Sequence, residues 1–149
     1  MTKFNNILFL ITFMLLSSLG FASKFTVMTF NVENLFDNLD DPQKEDETYL
    51  PSSMKTSKIH IDQCNKIEVF KWRDDCLNMD WNDEVIEYKL NVIAETILSY
   101  EKHGPDVIGF QEVENENILK QLFDRLKNHG YKFYTLVEGN DDRGIDNAF

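Results

Sequence analysis

The chain has 149 residues, the length of one ordinary domain, and a formal net charge of −11. So acidic a chain is repelled at long range by nucleic acid and by anionic membrane, and it has no Lys/Arg run with interleaved aromatics to make a basic groove. The balance argues against a tight polynucleotide grip and leaves open a small phosphorylated substrate or a contact made through a metal.

The first 22 residues read as a secretory signal. Lys3 is a short basic start, Ile7 to Leu16 is almost unbroken apolar, and Gly20-Phe21-Ala22 supplies the small residues of a cleavage site. The run is too short and too weakly flanked for a stable membrane span. Cleavage after Ala22 leaves residues 23–149 as the domain, exported to the periplasm or secreted.

Phe25 to Phe30 is rich in β-formers and predicts a central strand from about Lys24 to Asn31, with the chain leaving the sheet between Asn31 and Asp37. Asp37 to Thr56 is acidic and carries Pro42 and Pro51, which predicts an exposed loop. Its carboxylates suggest calcium, but the EF-hand pattern fails because Pro42 stands where the sharp turn needs glycine. Ser57 to Met79 has apolar residues without a clean period and reads as an irregular insertion. Cys64 and Cys76 lie within it; in an exported chain a disulfide is favoured over free thiols, and no metal-ligand spacing surrounds them.

A helix follows, capped by Asn82 or Asp83, with Ile86, Leu90, Ile93, Ala94, Ile97 and Leu98 on one face and Glu87, Asn91 and Glu95 facing out. His103-Gly104-Pro105 is its stop signal, so His103 belongs to a helix end. Asp106 to Val113 predicts a second strand. Strand, helix and strand make a βαβ unit, whose strands are parallel. That topology carries Asn31 and Glu112 to the same edge of the sheet, where open α/β sheets place their sites. A second helix is expected from about Asn115 to Asn128, ending at His129-Gly130. A third strand is expected from Tyr131 to Val137, a turn from Glu138 to Arg143, and a fourth strand from Ile145 to Phe149.

The chain has no Walker loop, GxGxxG, HExxH or GxSxG, and no serine or cysteine set beside a usable histidine. The chemistry left is hard-cation chemistry through oxygen ligands, the style of Mg²⁺ or Mn²⁺, and a strand-end Glu with an Asn amide suits it.

Three blocks carry a family resemblance. Thr29 to Asp37 with Asp40-Asp41-Pro42 and Leu50-Pro51, then Pro105 to Asn115, then Asp142 to Phe149 together resemble the endonuclease/exonuclease/phosphatase superfamily, in particular its secreted bacterial members. The segment Ser57–Met79 is the least similar part. The resemblance implies a four-layer α/β/β/α sandwich with a mixed sheet, and a phosphoester hydrolase of nuclease or phosphatase type that uses Mg²⁺ or Mn²⁺. It implies Glu112 as a direct metal ligand, Asn31 as a residue holding metal and phosphate, and Arg143 and Asp146 as substrate-binding candidates. Glu33 and Glu114 belong to the motif and are expected to support neighbouring ligands or to fix loops. The superfamily's Gly-Asp-x-Asn and Ser-Asp-His blocks do not occur in the chain, so it is expected to be an N-terminal portion, inactive alone. The alternative is a non-catalytic exported binding protein whose acidic loop takes Ca²⁺ weakly.

Overall fold

The computed structural model describes residues 24–149; the expected signal segment, residues 1–22, lies outside them. A four-stranded mixed sheet runs in the order β1-β2-β4-β3. Its strands are β1 Val27–Leu35, β2 Val107–Val113, β3 Leu136–Val137 and β4 Asp146–Ala148. β1 and β2 are parallel, and β4 runs antiparallel to both its neighbours. Among the described residues four α-helices accompany the sheet: α1 Lys58–Cys64, α2 Phe70–Asn78, α3 Asp83–Ser99 and α4 Glu116–Leu126.

The long helix α3 forms where the sequence predicts it. The Asn82 side chain accepts from the backbone N–H groups of Glu84 and Val85 (3.0 and 3.1 Å), and Asp83 and Glu84 sit favourably in the first turn. Its buried face, Ile86, Leu90, Ile93, Ala94 and Ile97, lies in one core with Ile108, Phe110 and Val113 of β2 and Ile118, Leu119, Leu122 and Leu126 of α4. Arg125 of α4 ties the two helices together, pairing with Glu87 and donating to Asn91 Oδ1 of α3. The helix stops at Ser99, a 3₁₀ turn follows, and Gly104 takes the left-handed conformation (φ 82°) before Pro105. α4 is capped by Asn115, and Gly130 closes the turn behind it (φ 110°).

Both helices pack on one face of the sheet. The other face carries Phe25 (68% exposed), Val27 and Val107, and the Phe149 ring lies against Gly109, where a Cβ would come within 3.2 Å of it. Among the described residues no layer covers that face. They form an α/β architecture with a mixed sheet that includes a parallel βαβ pair, as the sequence leads one to expect.

Four expectations need correction. β1 does not leave the sheet at Asn31 but continues to Leu35. The third strand shrinks from Tyr131–Val137 to Leu136–Val137; Thr135 still exchanges backbone hydrogen bonds with Phe149 (2.7 and 2.9 Å), while before it Tyr131 donates from its hydroxyl to the Pro105 carbonyl (2.8 Å) and Tyr134 packs on Phe123. The segment 57–79 is not irregular. It is a helical hairpin, α1 and α2, joined by a Cys64–Cys76 disulfide across a sequence separation of 12. Its apolar residues show no clean period because Ile59, Phe70 and Trp72 stay exposed while the disulfide does the pinning. His60 is buried beside it, and because a carbonyl can only accept, its Nε2 donates to the Cys76 oxygen (3.0 Å).

The acidic loop is likewise only partly solvated. Asp37 and Asp46 are buried (3% and 1% exposed), and two 3₁₀ turns, Glu47–Tyr49 and Ser52–Met54, order it. The Tyr49 ring stacks on Phe36 (centroids 4.0 Å) and meets Trp81 edge-on. Lys55 reaches inward to donate to the carbonyls of Thr48 and Met79 (2.7 Å each), bracing the loop against α2.

A double variant, C64S/C76S, is expected to lose about 3 kcal/mol of stability, because the bridge removes loop entropy from the unfolded chain. Urea unfolding without reductant checks this, and added reductant should bring the parent chain down to the variant.

Candidate metal centre

Glu112 occupies its position because both strands change phase together. Along β2 the core residues are Ile108 and Phe110, then Val113; along β1 they are Met28, Phe30 and Val32, then Leu35. A spacing of two becomes three. In a regular strand Glu112 would follow Ile108 and Phe110 into the helix-covered face. Instead Asn31 pairs with Gln111 and Leu35 pairs with Val113, so residues 32–34 of β1 stand opposite Glu112 alone. On the other side Gln111 pairs with Asn147 and Val113 with Asp146, so against β4 it is Glu112 that is the extra residue. The β1–β2 ladder thus bulges in β1 and the β2–β4 ladder at Glu112, and Val113 takes the core position in its place.

The bulge requires left-handed backbone at Glu33 (φ 53°), Asn34 (φ 60°) and Glu112 (φ 65°). Side chains disfavour this region by roughly 1–2 kcal/mol per residue. Such strain persists where surrounding contacts over-determine it. Here they do: Glu112 Oε1 accepts from Asn31 Nδ2 (2.9 Å) and Oε2 accepts from the Asn34 N–H (3.0 Å). Each carboxylate oxygen has one donor and keeps lone-pair capacity for a cation. The Asn31 amide is itself fixed, since its Oδ1 accepts from the Glu33 N–H (2.7 Å). Its oxygen is turned to the backbone and its nitrogen to Glu112, so in this geometry Asn31 orients the carboxylate. These are hard oxygen donors on fixed backbone, which fits Mg²⁺ or Mn²⁺, cations that take one or two carboxylates and keep several waters.

Two cations flank the carboxylate. Lys89 of α3 donates to the Glu33 carbonyl (2.6 Å) and lies over the Trp81 ring. Burial lowers its pKa, and the charges of Glu33 and Glu112 act the other way. Arg143 approaches the Asn34 side chain (3.4 Å) while its other nitrogens hold Asp141. The Asp141 carboxylate is the first cause of its raised pKa, and Glu112 contributes further. Sequence reasoning places Arg143 near the third block and misses Lys89, whose only signal is that it is the single basic residue of α3. Asp146 has a different placement. It is 8% exposed, its Oδ1 accepts from the Gly139 N–H, and it lines a separate cleft with Glu114, Lys44 and Glu138.

Behind the centre, three buried carboxyls fasten the acidic loop to the sheet. Glu114 Oε2 accepts from the Asp37 N–H (2.7 Å). Asp37 Oδ2 accepts from the amides of Asn115 (3.0 Å) and Asn117 (2.7 Å), and its Oδ1 from the Leu39 N–H (2.8 Å). Asp46 Oδ2 accepts from the Asp41 N–H (3.0 Å), and its Oδ1 is buried with no other donor in reach. Burial is the main cause that pushes the Glu114 carboxyl up to about 8; the Asp37 amide pulls it down, and the Asp37 and Asp46 carboxyls raise it further. Asp46 is pushed up to about 6, again by burial first. A proton kept on Glu114 turns its contact with Asp46 into a donor–acceptor pair. Glu114 therefore fastens the start of the acidic loop to the sheet.

Fold and centre together define an α/β protein with oxygen donors gathered at the carboxyl ends of parallel strands. The chain belongs to the endonuclease/exonuclease/phosphatase family, whose model matches residues 26–71 and 73–149. No curated protein and no solved structure matches it. The match runs through the α1–α2 hairpin and breaks only at Trp72, so the segment least similar by its motifs still lies within the family's span. The family acts on phosphoesters and generally uses divalent metals. Among the described residues no helix is long and apolar enough to cross a membrane.

Because the folded pKa of Glu114 lies above its usual 4.5, the stabilisation it gives is complete below that value and is lost as pH rises through about 8. Glu114→Gln keeps a donor for Asp46 at every pH. The variant should match the parent near about pH 5 and be the more stable near about pH 9, read as urea midpoints. A difference that does not change with pH would contradict the shared proton.

Proposed function

We propose that the chain carries the metal-holding portion of a divalent-metal-dependent phosphoester hydrolase of nuclease or phosphatase type. One observation carries the reading: the paired phase break ejects Glu112 from the core and presents its carboxylate, oriented by Asn31 and the Asn34 N–H, at the sheet's edge. Glu112 would hold Mg²⁺ or Mn²⁺. The bound cation supplies Lewis-acid polarisation of a phosphoryl oxygen. Asn31 keeps the carboxylate in one orientation, and Arg143 offers positive charge to a phosphate brought against the centre. Asp146 has no such role here, because its carboxylate secures the turn before β4.

No described histidine stands beside Glu112. His60 is occupied at the Cys76 carbonyl, His103 Nδ1 lies 2.8 Å from the Gly104 carbonyl, and His129 ends the turn after α4. We read the water-activating and leaving-group-protonating residues of the hydrolase as supplied from outside the described residues, and the uncovered apolar face of the sheet supports that reading. The chain alone is accordingly read as inactive. Its apolar start is read as an export signal, which places the enzyme in the periplasm or outside the cell.

Calorimetric titration of the chain with Mn²⁺ tests the reading. Glu112→Gln should abolish detectable binding, and Asn31→Ala should weaken it about tenfold, the usual effect of removing a residue that orients a metal ligand. Turnover of bis(p-nitrophenyl) phosphate should not exceed that of the Glu112→Gln control. Unchanged Mn²⁺ affinity in Glu112→Gln would overturn the metal assignment, and clear turnover by the parent chain would overturn its being only a portion of the enzyme.

A further inference from the structure

A cleft of about 840 Å³ opens directly beside the centre, between it and the α1–α2 hairpin. Asn34 and Arg143 line its near end, Tyr49 its floor, and Lys71, Trp72 and Asp75 of α2 its far wall. The hairpin takes no part in orienting Glu112, yet the disulfide and the Lys55 brace fix it against the cleft. Trp72 is 63% exposed there. An unburied indole on a pinned wall beside a reactive centre is an unused stacking surface. Tyr49, clamped between Phe36 and Trp81, presents its hydroxyl at a fixed point. Burial is the first cause of its raised pKa, and the charges of Arg143 and Lys71 reach it from two sides.

The charges of the cleft decide what fits. Lys71 is paired with Asp75 (2.8 Å), and Arg143 is already assigned to the phosphate at the centre, so the cleft has no free cation waiting for a second phosphate. The rest of the lining includes the carboxylates of Glu45 and Glu47. These repel further anionic groups and accept hydrogen bonds from hydroxyls. A strand of nucleic acid, with a phosphate on either side of the scissile one, meets that repulsion along the cleft. A neutral ring bearing hydroxyl groups finds an aromatic face and acceptors.

We propose that this cleft is the specificity pocket of the centre, and that it takes the uncharged, hydroxylated ring group of a substrate carrying a single phosphate, as in a nucleoside monophosphate or a sugar phosphate. The proposal rests on the phosphate being held at Glu112. Trp72 stacks on the ring, and the lining carboxylates and Tyr49 read its hydroxyls.

Calorimetry on the whole chain with saturating Mn²⁺ tests it, using inorganic phosphate, adenosine 5′-monophosphate, glucose 1-phosphate and a single-stranded oligonucleotide as probes. At least one monoester should bind about tenfold more tightly than inorganic phosphate, the size of one ring-stacking contact. Trp72→Ala should erase that preference and leave inorganic phosphate unaffected, while Trp72→Phe retains most of it and shows that the wall still folds. Preference for the adenosine ester assigns a nucleoside, and preference for the glucose ester a sugar. Equal binding of monoesters and phosphate, a preference that survives Trp72→Ala, or tighter binding of the oligonucleotide would overturn the proposal. If inorganic phosphate binds without Mn²⁺, or equally in Glu112→Gln, the metal reading itself fails and the pocket falls with it; the Trp72 variants fail separately, with metal binding intact.

Discussion

The structure depends on a conflict between burial and charge at the exit of two parallel strands. The helix-covered face of the sheet is apolar, and regular alternation would drive the Glu112 carboxylate into it. Burying an unpaired carboxylate there would cost far more than a strained backbone does. The fold resolves the conflict by bulging both strands at the same level, so that Val113 and Leu35 fill the core and Glu112 leaves it. The left-handed conformations of Glu33, Asn34 and Glu112 are the cost of that solution. The two hydrogen bonds to the Glu112 carboxylate hold it in place. Strain and pre-organised ligand are two aspects of one local structure.

The same level of the sheet organises what surrounds it. One residue past the bulge, the Glu114 N–H donates to the Leu35 carbonyl (3.0 Å), and the Glu114 carboxyl receives the Asp37 N–H. The strand exits are thereby locked to each other and to the start of the acidic loop. The loop in turn delivers Tyr49 and Lys55 to the base of the hairpin. A chain of short-range contacts thus connects the bulged Glu112 to the wall that carries Trp72. Most of the chain's negative charge stays in water, while the buried carboxyls of Asp37, Asp46 and Glu114 have amide donors or a shared proton to offset their desolvation.

Much of this is legible in the sequence. The three-and-four spacing of α3 and its Asn82 cap locate the crossover, and the crossover brings Asn31 and Glu112 to one edge. The family blocks then single out the same two residues. What sequence reading loses is the end of β1, because alternation breaks after Val32 and a broken alternation looks like a strand's end. The doubled break, Val32 to Leu35 and Phe110 to Val113, is the sequence signature of the paired bulge. The hairpin is hidden because a disulfide replaces the apolar stripe that would reveal it. Lys89 and Tyr49 reach the centre through tertiary contacts alone, and nothing in their local sequence marks them. Asp37 and Asp46 look solvated because their partners, Glu114, Asn115 and Asn117, lie nearly eighty positions away in Asp37's case.

The central claim is that a divalent cation is held at the Glu112 bulge and not in the acidic loop behind it. Paramagnetic broadening by Mn²⁺ in the amide NMR spectrum of the chain tests this most directly. At substoichiometric Mn²⁺ the account predicts that the amides of Asn31, Asn34 and Glu112 broaden first and that those of Asp40, Asp41 and Gln43 follow only at excess metal. Broadening that begins at Asp40 and Asp41 and spares Glu112 would contradict it.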